Sequence, residues 1–140
     1  ARRRRRLERA LGRTVSGMSE LKIVANGHYV IGRHKIQTHF GLDEWNVSAL
    51  SQPRFARQLC LKSPSDFVSG RVPLYLCRCG DLECGALTVS VTEEDGEVTW
   101  ADFGREGPSD QAFTQSTYMR RTGPFTFEKS AYLYALSGFL

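Results

Sequence analysis

The pair Asn26-Gly27 lies between Leu21-Lys22-Ile23-Val24-Ala25 and His28-Tyr29-Val30-Ile31-Gly32, and it constrains the fold more than any other feature of the chain. Both residues tolerate positive φ, so a type I′ turn there folds two alternating segments into a hairpin. A second alternation sets Leu87, Val89 and Val91 against Thr88, Ser90 and Thr92, one face toward a core and one toward water. Residues 72–79, 86–92 and 98–103 then read as a three-stranded antiparallel meander, with Glu94-Asp95-Gly96 as one of its turns. Trp45, Val47 and Leu50 are expected to pack on the core from a loop or short strand.

Two helices complete the expected architecture. Ser51 is placed to cap the first, with Pro53 in its opening turn, Phe55, Ala56, Leu59 and Cys60 as the buried stripe, and Pro64 as its stop. Thr126 is placed to cap the second, over residues 127–136, burying Phe127, Ala131, Tyr134 and Ala135, with Gly138 at its end. Residues 104–123, rich in Gly, Ser, Thr and Gln, read as a long loop of the functional kind. The predicted fold is α+β: an antiparallel sheet, made of the N-terminal hairpin plus the meander, with two packing helices.

At 140 residues the chain suits one domain, and 41% hydrophobic with 24% charged residues is ordinary for a globular protein. No apolar run approaches the roughly 18 residues that span a membrane, so no membrane partner is expected. Charge divides the chain at residue 17. Residues 1–17 hold seven Arg, Arg2 to Arg6 among them, against one acid, a balance of +6. Residues 18–140 hold 12 Lys and Arg against 14 Asp and Glu, a balance of −2. The reading is a basic N-terminal arm or extension over 1–17 and a single domain over 18–140, since Met18-Ser19-Glu20-Leu21 looks like a natural beginning. The arm could neutralise phosphates, but it lacks the interleaved aromatics that stack on bases. It also lacks an apolar signal core, so a cytoplasmic location with reduced thiols is expected.

The most specific motif is Cys77-Arg78-Cys79-Gly80-Asp81-Leu82-Glu83-Cys84-Gly85. Cys77 and Cys79 share one strand face and Cys84 returns past a turn, so three sulfurs can converge. With Cys60 or a histidine as fourth ligand they could hold one structural zinc, though the usual spacing is CxxC. A Cys79–Cys84 disulfide and simple buried thiols are the other two readings. The histidines, His28, His34 and His39, have no recognisable catalytic partners, and GxSxG, HExxH, Walker and GxGxxG patterns are missing. Asp43-Glu44 and Glu93-Glu94-Asp95 read as solvated charge. Phe103, Phe113, Tyr118 and Phe125 lie in or beside the 104–123 segment with Arg120-Arg121, a composition typical of interface anchors.

The cysteine turn, the Val98-Thr99-Trp100-Ala101-Asp102-Phe103 strand and Gly123-Pro124-Phe125-Thr126-Phe127-Glu128 together resemble a group of small bacterial proteins, common in actinobacteria. That group shares a CxCGxxGC-like turn, a VxWxDF strand and a GPFxFD-like helix start. The likeness spans about residues 72–136 and departs at Glu83, where the group tends to have Gly. It implies that the cysteine turn is architectural, and it implies no activity.

The expected function is a non-enzymatic protein-binding module, with Phe113, Tyr118, Arg120 and Arg121 as the contact residues. An immunity-type protein that neutralises a toxin is one form of it, its acidic side chains steering it toward a basic partner. The alternative is a zinc-stabilised, nucleic-acid-associated regulator using Cys77, Cys79, Cys84 and Cys60 with Arg2, Arg3, Arg4, Arg5 and Arg6.

Overall fold

Asn26 and Gly27 both take positive φ, 66° and 74°, and close the hairpin between β2 (Leu21–Val24) and β3 (His28–Ile31). The loop has three residues, because the ladder ends at the Val24–His28 pair. In this computed structural model the described residues are 17–42, 47–77, 85–107 and 113–140. The other strands are β1 (Met18–Ser19), β4 (His34–Lys35), β5 (Val47–Ser48), β6 (Val72–Leu76), β7 (Ala86–Glu94), β8 (Glu97–Glu106) and β9 (Phe125–Glu128). The helices are α1 (Ile36–His39), α2 (Pro53–Leu59), α3 (Thr117–Arg121) and α4 (Lys129–Leu136).

The class is α+β as expected, but the sheet arrangement is different. The hairpin forms its own three-stranded sheet, in the order β2-β3-β4. The meander strands β6, β7 and β8 are antiparallel neighbours inside a six-stranded sheet ordered β1-β9-β8-β7-β6-β5. That sheet is mixed, since β1 runs parallel to β9. Asp95 and Gly96, with φ of 57° and 77°, form the two-residue turn that joins β7 to β8.

Three local expectations are corrected. First, Phe125-Thr126-Phe127-Glu128 is a strand, so the last helix begins two residues later than its expected start and has a different buried face. Glu128 caps it, its carboxylate accepting from the Ser130 and Ala131 backbone N–H groups at 3.2 and 2.8 Å. Tyr132 and Leu136 are buried, whereas Ala131 and Tyr134 face water and Ala135 is half-buried. Phe127 is buried as expected, but it reaches the core from β9.

Second, Ser51 does not cap α2. It ends a 3-10 turn whose capping oxygen belongs to Ser48, and α2 starts at Pro53 after Gln52. The stripe of Phe55, Ala56, Leu59 and Cys60 is buried as expected. Third, residues 104–123 are not one long loop. They include the end of β8, an antiparallel bridge between Arg105 and Thr114, and α3. Among the described residues, α1 and α3 add to the predicted pair of helices.

Trp100 stands at the centre of the core with no exposed surface, edge-on to Tyr29, Phe127 and Tyr132. Leu50 is buried and Val47 half-buried, while Trp45 lies outside the described residues. No helix among the described residues is long and apolar enough to cross a membrane.

Candidate protein-binding surface

Helix α3 is short, and its composition leaves it only one side to bury. Ser116 caps it by accepting from the Met119 backbone N–H at 3.0 Å, and Met119 is its buried anchor. Turning Met119 inward leaves Tyr118, Arg120 and Arg121 exposed on the outer side. Arg120 donates to the Gln115 side chain at 3.4 Å. Tyr118 is 54% exposed but is held from several directions. Its ring lies 4.7 Å from the His39 ring and 6.1 Å, edge-on, from the Phe40 ring. Phe40 in turn stands 5.2 Å from Phe103, which is fully buried. The exposed aromatic is thus tied to the core by a continuous stack.

The hydrogen bonds around His39 fix its tautomer. The Thr122 hydroxyl donates to the Tyr118 carbonyl at 2.9 Å, so its one proton is committed. At 3.0 Å from His39 Nε2 that hydroxyl must accept, and Nε2 therefore carries the proton. His39 Nδ1 is left as an acceptor and receives the Tyr118 O–H at 3.1 Å. The result is a closed ring of bonds through Tyr118, His39 and Thr122 around a neutral imidazole. Burial, then the neighbouring His34 ring, hold His39 below the ordinary histidine range.

His28 is likewise held low, by burial and then by the charge of Lys35. Its Nδ1 lies 2.9 Å from the Tyr75 hydroxyl, inside the core. Both histidines are therefore bound neutral. The unfolded chain takes up protons below about pH 6.5, where the folded chain resists them. Stability is expected to be full above that pH and to fall as pH drops through it toward the lowered folded values. Melting temperatures between about pH 7.5 and about pH 5 should decline, and less steeply in His39→Asn. A flat profile would contradict the neutral-histidine arrangement.

Phe113 takes a different seat from Tyr118. Its ring covers the Arg71 guanidinium at 4.1 Å and fills the space beside Gly104. Arg71 belongs to a group that sequence reasoning missed. Its Nε lies 3.3 Å from Glu106 Oε1 and donates to Thr88 Oγ1 at 3.3 Å. The same carboxylate oxygen accepts from Thr88 at 2.7 Å and Ser69 at 3.0 Å. Phe125 is half-buried against Phe103, so those two rings pack inward.

Of the proposed zinc ligands, Cys60 is buried and Cys77 half-buried, and both are free thiols. Burial pushes the Cys60 thiol up, against the smaller opposing pull of Lys62. Cys79, Cys84 and the arginines Arg2 to Arg6 lie outside the described residues. Among the described residues, no group of three His, Cys, Asp or Glu side chains could hold a metal ion. No protein-family model, curated protein or solved structure matches the chain. Its functional reading rests on its own residues.

Proposed function

We propose that the protein is a non-enzymatic protein-binding module whose contact surface centres on Tyr118, with Arg120 and Arg121 at its rim. The observation that carries this reading is the state of Tyr118: more than half exposed, yet fixed by a hydrogen bond to His39 and by ring contacts that reach the core. Ordering such a side chain normally costs about 0.5–1.5 kcal/mol on binding, and here that cost is met during folding. Tyr and Arg are also the residue types enriched where binding energy concentrates. The local charge of the patch is positive, which favours a carboxylate-bearing contact site. An immunity-type protein that blocks a toxin is the form proposed, with its arginines meeting acids on the toxin surface. This charge argument reverses the steering expected from residues 18–140 taken together.

The test uses the full chain, wild type and Tyr118→Ala, as baits in lysate of the source cell, with and without nuclease treatment. One stoichiometric protein held by the wild type and weakened at least about tenfold by the substitution supports the reading. The substitution is expected to cost about 1–2 kcal/mol of stability, since the ring contacts with His39 and Phe40 and one exposed hydrogen bond are lost while the rest of the core is untouched. Retention of nuclease-sensitive material alone would overturn it in favour of the nucleic-acid-associated alternative.

A further inference from the structure

β2 and β4 are the outer strands of the three-stranded sheet, and among the described residues no strand pairs with the other edge of β2. The Gly32 N–H donates to the Glu20 carbonyl at 3.4 Å, which extends the β2–β3 register by one pair. Bonded and non-bonded pairs alternate in an antiparallel ladder. Lys22–Val30 and Val24–His28 are therefore the bonded pairs, and Leu21 and Ile23 turn both N–H and C=O away from β3, Ile23 half-buried and Leu21 only 6% exposed. Two depressions follow this edge and meet at Ile23 and Val24. One, of about 670 Å³, lies between β2 and α4 and is lined by Ala131, Tyr134 and Ala135. The other, of about 620 Å³, is lined by Val47, Leu50 and Phe139. The apolar surface they border includes Tyr134, 82% exposed, and Val24, 42% exposed.

We propose that this edge binds an extended peptide segment of another protein, which adds as a fourth strand to the β2-β3-β4 sheet. The proposal goes beyond the Tyr118 surface and does not rest on it. Two outward N–H and C=O sets, two residues apart, match the spacing of another strand, whereas a helix has spent its main-chain groups internally. A second copy of this chain is a poor occupant. The symmetric register that bonds Leu21 of one copy to Ile23 of the other sets Lys22 directly opposite Lys22, a like-charge pair. Lysine on a free edge is a known guard against self-pairing. The exposed Lys22 calls instead for an acidic residue opposite it, and the exposed Glu20 for a basic one. The preferred antiparallel partner thus carries apolar residues opposite Leu21 and Ile23, with an acid between them.

The probe is the acetylated and amidated peptide Thr-Val-Glu-Val-Lys, added in excess to the 15N-labelled full chain, with amide hydrogen exchange followed by NMR. Without peptide, the Leu21 and Ile23 amides are expected to exchange faster than those of Lys22 and Val24. With peptide they should slow at least about tenfold, while a peptide with Pro opposite Ile23 leaves them unchanged. Lys22→Glu should weaken the effect by about fivefold, and a peptide with Lys in place of Glu should restore it. Three results would overturn the proposal. The first is edge amides already as slow as Lys22 and Val24 in the free protein. The second is protection that rises with protein concentration alone, which would place a second copy on the edge. The third is no slowing with the probe peptide.

Discussion

Trp100→Ala is expected to remove about 3–5 kcal/mol of folding stability, a large share of the 5–15 kcal/mol typical of a domain. The size follows from what the indole joins. Trp100 sits on β8, opposite Val91 of β7 and Phe125 of β9, so it lies within the six-stranded sheet. Its ring meets Tyr29 of the hairpin sheet at 5.7 Å and Tyr132 of α4 at 6.0 Å. Its Nε1–H donates to the Tyr132 hydroxyl at 3.0 Å, and that hydroxyl donates to the Leu59 carbonyl at 2.6 Å. One side chain therefore couples both sheets, the last helix and the end of α2.

Tyr132→Phe provides the control, since it keeps the ring and deletes only the oxygen. It strands the Trp100 N–H and the Leu59 carbonyl in the core, at a cost of about 1–3 kcal/mol. The double variant should cost less than the sum, because Trp100→Ala has already removed one of the two orphaned groups. Urea unfolding of the four proteins decides the matter. A loss under about 1 kcal/mol for Trp100→Ala would mean the sheets are held together elsewhere.

The legible parts of this fold are those whose signal is local. Asn26-Gly27 and Asp95-Gly96 announce their turns because the positive φ is demanded of two adjacent residues. The 125–129 boundary was misread because Phe127 and Ala131 also satisfy the i, i+4 spacing of a helix, so period two and period 3.6 compete over four residues. The mixed sheet could not be read, since the partner of Met18-Ser19 is Thr126-Phe127 at the other end of the chain. The candidate site divides the same way. Tyr118, Arg120 and Arg121 show as an interface composition within one short segment. His39, which fixes Tyr118, is 79 residues away and has no local partner to mark it. Arg71, just before the strand expected over 72–79, and Glu106, in the segment read as a loop, carry no local mark of their pairing, which only the fold creates.

Arg71→Ala is expected to cost about 3–5 kcal/mol, because it leaves the Glu106 carboxylate buried without its cation. The Arg71 side chain is 13% exposed and that of Glu106 is 6% exposed, so solvent cannot replace the lost partner. Burial pulls the guanidinium below its ordinary range and Glu106 opposes that shift. The pair is thus costly to form and costlier to leave half-formed. Replacing both members by apolar residues, Arg71→Met with Glu106→Leu, should cost less than Arg71→Ala alone, since no charge then remains to be desolvated. Phe113→Ala should cost less again, about 0.5–2 kcal/mol, as only the ring over the guanidinium is lost. Gly104→Ala should cost more than Phe113→Ala, acting from the other side. Its new Cβ would lie 2.1 Å from the Phe113 ring and 2.9 Å from the Thr114 carbonyl, displacing the ring and straining the Arg105–Thr114 bridge. Chemical denaturation of this series ranks the terms. If Arg71→Ala and the double apolar variant prove equal, the ion pair contributes only packing, and Phe113 becomes free to serve as a contact residue beside Tyr118. If Arg71→Ala is clearly the worse, Phe113 is the cover of a buried charge pair, and the binding surface contracts to Tyr118, Arg120 and Arg121.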